Sequence, residues 1–157
     1  MTEKKREELY PVIKESALAY GIGQVEAGEI DKINILQATF KAMGLAVEKL
    51  NVLPHYVLVD GRDFPRFFVD GGNKTLKGEA VVKGDGKSAS VAAASVLAKV
   101  YRDHLMQEYA DIYPEYDFEK HKGYGTKKHR ELIVKNWPCP IHRRSFLKNI
   151  LSDIDIH

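Results

Sequence analysis

Residues 90–106, SVAAASVLAKVYRDHLM, are the stretch that most clearly decides the fold. Alanine and serine fill its first half, and Arg102 and Asp103 follow near its end. The pattern predicts a helix that stops at Pro114. One face of this helix holds five residues spaced four, three, four and four apart, namely Ser88, Ala92, Ser95, Lys99 and Asp103. Small side chains let a helix approach a sheet closely, so we expect Asp103 to lie near strand ends.

Apolar runs and helical patterns alternate along the rest of the chain. HYVLVDG, RFFVDGG and EAVVKGDGK predict short strands over 55–61, 66–72 and 79–87, and YGIGQVEA is a further candidate over 20–27. Helices are predicted over 3–20, over 31–50 with Asp31 or Asn34 as the N-cap, and over 125–137 with Thr126 as the cap. Strands that alternate with helices predict an α/β class.

Length and composition favour a single domain over residues 1–157. The chain is 44% hydrophobic and 29% charged, which suits one soluble domain with an ordinary core. It has no apolar run long enough to cross a membrane, and its charged start, MTEKKREELY, does not resemble a signal peptide. Cys139 is the single cysteine, which excludes an internal disulfide and disfavours a cysteine-rich zinc site. We expect a cytoplasmic protein without membrane association.

The positive charge is concentrated towards the C-terminal end. Residues 120–148 hold nine lysines and arginines and one acidic residue, Glu131, so this segment carries a net charge of +8. Tyr124, Trp137 and Phe146 lie among these charges. Basic residues mixed with aromatic ones favour a polyanionic partner, with nucleic acid first, although a solvated basic face would have the same composition. We predict a basic helical segment at about 120–150.

VVKGDGKSAS, residues 81–90, has some features of a phosphate-binding loop. The nucleotide-binding pattern requires glycine where Val81 stands, so nucleotide hydrolysis is disfavoured. Gly84 and Gly86 would still allow backbone N–H groups to approach a phosphate, with Lys87 adding charge. The alternative is a plain turn capped by Asp85 or Ser88.

Two carboxylates occupy positions where a metal site could form. Asp60 follows an apolar strand, and ligands bind at the carboxyl ends of strands in open α/β sheets. Asp103 would be delivered by the helix, and two carboxylates could bind Mg²⁺ or Mn²⁺ because hard cations prefer oxygen ligands. The alternative is a surface ion pair between Arg102 and Asp103, with Asp60 in an ordinary turn.

Several long motifs together resemble one family. They are VKGDGKSASVAAASVLAKVYRDHLM (82–106), KHKGYGTKKH (120–129) and PIHRRSF (140–146), with EIDKINILQATFKAM and LVDG earlier in the chain. In content and order they resemble ribonuclease HII. The resemblance implies a ribonuclease H-like fold. It also implies metal-dependent cleavage of the RNA strand of RNA/DNA hybrids, and cleavage 5′ to single ribonucleotides embedded in duplex DNA.

The resemblance also implies roles for individual residues. Asp60 and Asp103 would be two of four metal-binding carboxylates, with Mg²⁺ or Mn²⁺ as the cofactor. Tyr124 would pack against the sugar at the RNA–DNA junction. The other substrate-binding residues would be Lys87, Ser88, Lys122, Arg143 and Arg144. Gly86 departs from the family pattern, which often has serine at this position.

One family motif is absent from the chain. No Asp-Glu-Ala-Gly-Arg-Gly sequence occurs, although the resemblance implies that it supplies the other two carboxylates. We therefore expect an N-terminally truncated chain and an incomplete ribonuclease H-like fold that lacks the first strands of its sheet. Such a chain should cleave weakly or not at all alone, and its exposed strand edge should favour self-association. The alternatives are a non-catalytic module that binds RNA/DNA hybrids and a purely structural remnant.

Overall fold

A computed structural model describes residues 1–66 and 76–152, which group into two compact units. The first unit contains residues 1–24 and 40–100, and the second contains residues 25–39 and the chain from residue 101 onward. The single domain expected over 1–157 stays a prediction.

Seven α-helices and two strands form within the described residues. The helices are α1 (Glu3–Ser16), α2 (Ala27–Ile33), α3 (Ile35–Glu48), α4 (Ala89–Ile112), α5 (Phe118–His121), α6 (Lys127–Asn136) and α7 (Lys148–Leu151). The strands are β1 (Val57–Asp60) and β2 (Gly78–Val81), and short 3-10 turns span Gly84–Gly86, Pro114–Tyr116 and Arg144–Phe146. The predicted α/β class is confirmed.

The first unit is organised by a parallel pair of strands. β1 and β2 pair in register from Val57 opposite Gly78 to Asp60 opposite Val81. Val59 and Leu76 are buried beside this pair, with apolar side chains of α3 packed against them. Two of the predicted strands therefore form. The strand predicted over 66–72 lies outside the described residues except for its first position.

The outer part of this small sheet leaves apolar side chains accessible. Tyr56, Leu58 and Val82 are 53%, 37% and 50% exposed. Exposed apolar surface of this kind favours association with another surface. The expected self-association stays a prediction.

The strand predicted over 20–27 does not form. Its glycines instead lie directly on the backbone of α3. A Cβ atom on Gly21 would be 2.1 Å from the Ala46 carbonyl oxygen, and one on Gly23 would be 1.8 Å from the Ala42 carbonyl oxygen. The alternation of glycine with apolar residues thus reflects a close approach to a helix, not the two faces of a strand.

Side chains cap the starts of α3, α6 and α4, and Thr2 caps α1 in the same way. Asn34 Oδ1 accepts the N–H groups of Leu36 and Gln37, so Asn34 caps α3 and Asp31 remains inside α2. Thr126 Oγ1 accepts the His129 N–H at 3.2 Å, which confirms the predicted cap of α6. Ser88 Oγ faces the Val91 N–H at 3.5 Å at the start of α4. Capping side chains satisfy N–H groups that have no partner within the helix.

The second unit has an aromatic core. Tyr116 and Phe118 are 2% and 1% exposed, and their rings stack with centroids 5.4 Å apart. Met106, Ile133 and Leu147 complete the core from α4, α6 and the C-terminal segment. No helix within residues 1–66 and 76–152 combines the length and the apolar character needed to cross a bilayer.

Candidate functional site

Asp60 lies at the end of β1 and receives a hydrogen bond from the turn that follows β2. Gly84 N–H donates to Asp60 Oδ1 at 2.8 Å. Gly84 is buried, and a Cβ atom there would be 3.2 Å from Val91 Cγ1 and 3.5 Å from the same carboxylate oxygen. The glycine therefore lets the turn approach Asp60 closely. The hydrogen bond orients an otherwise exposed carboxylate.

Lys87 and Ser88 end this turn and begin α4. Both of their N–H groups donate to the Gly84 carbonyl oxygen at 2.9 Å, so these two donors are used within the turn. Of the two interpretations of this stretch, the capped turn describes the observed geometry. The Lys87 side chain is exposed and Ser88 is half-buried. Their predicted contacts with substrate stay predictions.

Tyr124 lies in the second unit on a loop that we call the Tyr124 loop, residues 121–126. Its side chain is 63% exposed, and the Arg102 guanidinium lies 5.9 Å from the centre of its ring. Arg102 Nη2 also donates to the Lys122 carbonyl oxygen at 3.1 Å. Arg102 thus supports the loop from α4, whereas the neighbouring Asp103 is half-buried.

The Tyr124 loop turns through two left-handed residues. Lys122 has φ of 50° and Gly123 has φ of 74°. A Cβ atom on Gly123 would lie 3.1 Å from Arg102 Nη2 and 3.3 Å from Met106 Sδ. Glycine adopts positive φ without steric cost, so Gly123 permits both the turn and the close approach of α4.

Arg143 and Arg144 lie on a second loop of this unit, which we call the basic turn, residues 143–146. The Arg143 guanidinium lies 3.9 Å from the centre of the Phe146 ring. Arg143 is half-buried and Arg144 is exposed. Burial lowers the pKa of Arg143, with repulsion from Arg102 adding to the effect. Arginine nevertheless remains charged at neutral pH.

Asp31 of α2 holds the basic turn by its backbone. Asp31 Oδ2 accepts the Arg144 N–H at 2.7 Å, and Oδ1 accepts the Ser145 N–H at 3.0 Å and the Ser145 hydroxyl. The Ser145 hydroxyl bond lowers the pKa of Asp31, with smaller contributions from the two N–H groups and Arg143. Since the Arg144 side chain takes no part in this anchoring, Asp31 fixes the backbone from which it projects.

Three histidines in or near these two loops are buried. His121, His129 and His142 are 8%, 6% and 8% exposed. Burial lowers the pKa of His129 to about 4 and also lowers the pKa of His142. Burial raises the pKa of the neighbouring Cys139 thiol. At neutral pH His129, His142 and Cys139 are therefore uncharged.

The donor groups of the described residues fit a metal only in part. Residues 1–66 and 76–152 contain no group of three or more His, Cys, Asp or Glu side chains that could hold a metal ion. Magnesium is commonly held by one or two carboxylates together with substrate phosphate oxygens and waters. An exposed, oriented carboxylate such as Asp60 suits one such ligand.

The predicted site residues divide between the two units. Asp60, Lys87 and Ser88 belong to the first, and Asp103, Lys122, Tyr124, Arg143 and Arg144 to the second. Sequence reasoning missed the support that Arg102 and Asp31 provide. It also gave no indication that the three histidines within the predicted basic segment are buried. The closely placed aromatic residues of 113–118 were the available signal for a core there.

A sequence model of the family described as Ribonuclease HII matches residues 1–149. This chain belongs to the ribonuclease HII family. A ribonuclease HII from Clostridioides difficile (strain 630) is 53% identical over 151 residues, which cover 96% of this chain and 56% of that protein. One from Caldanaerobacter subterraneus subsp. tengcongensis is 50% identical over 97% of this chain and 60% of that protein. The chain thus spans somewhat more than half the length of these ribonuclease HII relatives.

A solved structure shows the same fold. The crystal structure of the ribonuclease H2 from Pyrococcus horikoshii OT3 matches this ribonuclease HII chain with a TM-score of 0.83. The match covers 100% of this chain and 80% of that one, at 22% sequence identity. The expected ribonuclease H-like fold is thereby confirmed, with two strands in the described residues.

Proposed function

We propose that this chain carries a nuclease function that acts on RNA/DNA hybrids and on duplex DNA containing single ribonucleotides. It would hydrolyse the RNA strand of a hybrid and cut 5′ to an embedded ribonucleotide. The observation that carries this proposal is Tyr124, an exposed ring backed by Arg102 on a glycine-containing loop. Aromatic rings stack on nucleotides, and the 2′-OH lets a protein distinguish RNA from DNA.

The basic residues would bind the nucleic-acid backbone. Lysine and arginine neutralise phosphates and thereby provide affinity that depends on salt but not on sequence. Lys122, Arg143 and Arg144 would act in the second unit, and Lys87 with Ser88 in the first. The anchoring of the basic turn by Asp31 supports this role because it lowers the conformational freedom lost on binding.

Asp60 and Asp103 would hold Mg²⁺ or Mn²⁺ together with oxygens of the substrate. A metal ion held there would supply a water of lowered pKa and would stabilise charge on the phosphate and on the leaving 3′ oxygen. This assignment rests on the family resemblance and on the oriented carboxylate of Asp60. The chain matches two of the four carboxylates that the resemblance implies, so we expect slow cleavage, or none, by this chain alone.

A second candidate is a non-catalytic module that binds RNA/DNA hybrids. The net charge of +8 over residues 120–148 favours it. The two candidates share the same binding surface and differ only in the chemical step.

The test compares a DNA duplex with the same duplex carrying one ribonucleotide. We expect the ribonucleotide duplex to bind more tightly, and we expect Tyr124→Ala, but not Tyr20→Ala, to remove this preference. Equal affinity of the unmodified chain for both duplexes would contradict the proposal. Cleavage with Mg²⁺ or Mn²⁺ that disappears in Asp60→Asn and Asp103→Asn supports the nuclease, whereas selective binding without cleavage supports the binding module.

A further inference from the structure

Two of the three buried histidines of the second unit, His129 and His142, are hydrogen-bonded to each other, and His121 stacks on His129. Phe118 packs against all three rings at centroid distances of 5.6 to 5.7 Å, and the His121 and His129 rings stack at 4.1 Å. Buried polar atoms are costly unless they are hydrogen-bonded. The partners of each ring nitrogen therefore determine where its proton is.

The hydrogen-bond partners of His121 fix which of its two ring nitrogens donates. Its Nε2 lies 2.6 Å from the Tyr116 carbonyl oxygen, which can only accept, so Nε2 carries the proton. Its Nδ1 receives the Gly123 N–H at 3.2 Å and therefore has none. These two contacts hold the backbone at the start of the Tyr124 loop.

His129 and His142 are ordered in the same way. His129 Nδ1 lies 2.9 Å from the Tyr124 carbonyl oxygen and so donates, which leaves Nε2 as an acceptor. His142 Nε2 lies 3.1 Å from that acceptor and must donate to it. His142 Nδ1 is then an acceptor, and it receives the Cys139 N–H at 3.1 Å. Its 3.0 Å contact with Cys139 Sγ is consistent with the same assignment.

This chain of bonds tolerates no extra proton. A proton on His129 Nε2 would oppose His142, and one on His142 Nδ1 would oppose the Cys139 N–H. The other titratable groups facing the rings are Cys139, which is a neutral thiol, and Tyr116, which donates its hydroxyl to the Trp137 carbonyl oxygen.

The charged groups around the network lie outside it. Arg102 contacts the Tyr124 loop through the Lys122 carbonyl oxygen. Lys120 and Lys128 pair with Asp117, which is next to Phe118 in the sequence. Neither Arg102 nor this cluster provides a carboxylate partner for a ring nitrogen.

The network is not arranged as a metal site. Cys139 faces His142 Nδ1 and His129 faces His142 Nε2, so a single ion could not be reached by all three side chains. Both nitrogens of His121 are occupied by backbone groups. The metal-ligand interpretation of a His and Cys cluster therefore fails here.

We propose that His129 is a positioning residue that couples the Tyr124 loop to the segment 139–146 through a relay of two neutral imidazoles, its own and that of His142. One nitrogen of His129 holds the Tyr124 backbone, and the other holds His142, which directly precedes the basic turn. The two parts of the proposed nucleic-acid surface are thus fixed relative to each other within this unit. This inference rests on the proposed function for its substrate but not for its structural content.

Two substitutions separate the two bonds of His129. His129→Asn places an amide N–H near the position of Nδ1 and can keep the bond to Tyr124, but it lacks an acceptor for His142. His129→Gln places its amide near the position of Nε2 and can keep the contact with His142, but it cannot reach Tyr124. Neither variant titrates, and His55→Asn at an exposed position serves as the control.

Amide hydrogen exchange by NMR reads the two segments independently. The reporters are the Thr126 N–H, bonded to the Tyr124 carbonyl oxygen, and the Cys139 N–H, bonded to His142. We expect His129→Gln to speed amide exchange at Thr126 by about tenfold and to leave exchange at Cys139 nearly unchanged. We expect His129→Asn to give the reverse pattern. The loss of one net hydrogen bond corresponds to an increase in exchange rate of about five- to tenfold. Equal acceleration of both amides by both variants would reduce His129 to a general packing role and overturn the proposal.

Binding measurements then connect the relay to substrate. His129→Gln should lose most of the preference for a ribonucleotide-containing duplex, whereas His129→Asn should keep that preference and lose total affinity by a few fold. Imidazole nitrogen shifts should show protons on His121 Nε2, His129 Nδ1 and His142 Nε2, and any other set contradicts the relay. If the unmodified chain binds no duplex while the exchange pattern holds, the proposed function fails and the relay stands.

Discussion

Gly123 is the residue on which the shape of the Tyr124 loop depends most directly. Its φ of 74° lies in the left-handed region, where an L side chain is strained. A Cβ atom there would also press on Arg102 and Met106. Both are flexible side-chain ends that can move, so the backbone angle should dominate the cost of a substitution.

Gly123→Ala should therefore lower the free energy of unfolding by about 1–2 kcal/mol, the usual cost of a left-handed non-glycine residue. Gly28→Ala is the matched control in the same unit, because Gly28 lies in α2 with nothing within 4 Å of its Cβ position. It should be neutral or raise stability by about 0.5–1 kcal/mol. Urea unfolding of the two variants checks this, and equal effects would contradict it.

Capping residues show what sequence can predict at this scale. Thr126 precedes an apolar helical pattern, so its role could be predicted from position alone. The start of α3 had two candidates, and only the structure distinguishes them, because Asp31 has its acceptor atoms occupied by the basic turn. A contact between residues so distant in sequence leaves no local trace.

The contact between α2 and the basic turn is the main element-scale feature of the proposed binding surface. Asp31→Ala removes an acceptor for two N–H groups and one hydroxyl. We expect the free energy of unfolding to fall by about 1–2 kcal/mol, because hydrogen bonds to charged groups are stronger than neutral ones. Amide exchange at Arg144 and Ser145 should accelerate together.

The control for this prediction is Asp111→Ala, which removes an exposed carboxylate near the end of α4. Its effect should stay within about 0.5 kcal/mol, as for most surface substitutions. If Asp31→Ala lowers the free energy of unfolding by no more than Asp111→Ala does, the basic turn is held by other contacts.

Among the elements, α4 was the most predictable from sequence. Its small residues, its apolar spacing and Pro114 all indicate one helix, and it runs over Ala89–Ile112. The segment 20–27 was the least predictable. Glycines that permit a helix to approach produce the same apolar alternation as a strand, so the pattern alone could not separate the two.

For the whole chain, His129 gives stability a dependence on pH. The pKa of His129 in the folded chain is about 4, below the ordinary value of 6.5. The unfolded chain therefore binds a proton at His129 more readily than the folded chain does. Its contribution to stability is complete above pH 6.5 and is lost as the pH falls towards 4. The shift corresponds to roughly 3 kcal/mol, from about 1.4 kcal/mol per pKa unit.

Urea midpoints measured between pH 6.5 and about 4 should therefore fall steadily. The fall should be smaller in His129→Asn, and the part that remains should come from His142, whose pKa burial also lowers. The lowered pKa values of Asp31 and Asp117 place their own losses below about pH 3.8, outside this window. An unchanged slope in the variant would show that another group carries the dependence.

The candidate site as a whole was predictable only through its motifs. Spacing indicated Asp60 and Asp103 but left a surface pair or a turn as alternatives, and the roles of both carboxylates stay predictions. The basic composition around Tyr124 indicated a polyanion partner. The composition could not reveal that the histidines are buried, because histidine among basic residues is equally common on a solvent-exposed surface.

Asp31 and the basic turn are also separated by 113 residues of chain. Bringing such distant positions together costs loop-closure entropy, and this cost slows the formation of the contact. During synthesis from the N-terminal end, Asp31 is also exposed long before Ser145 has been made. We expect this contact to be among the last to form, after the local helices. The surface that carries Arg143 and Arg144 would then become ordered only after its own segment has been synthesised. During synthesis this strongly cationic segment would therefore present no ordered binding surface to nearby ribosomal or messenger RNA.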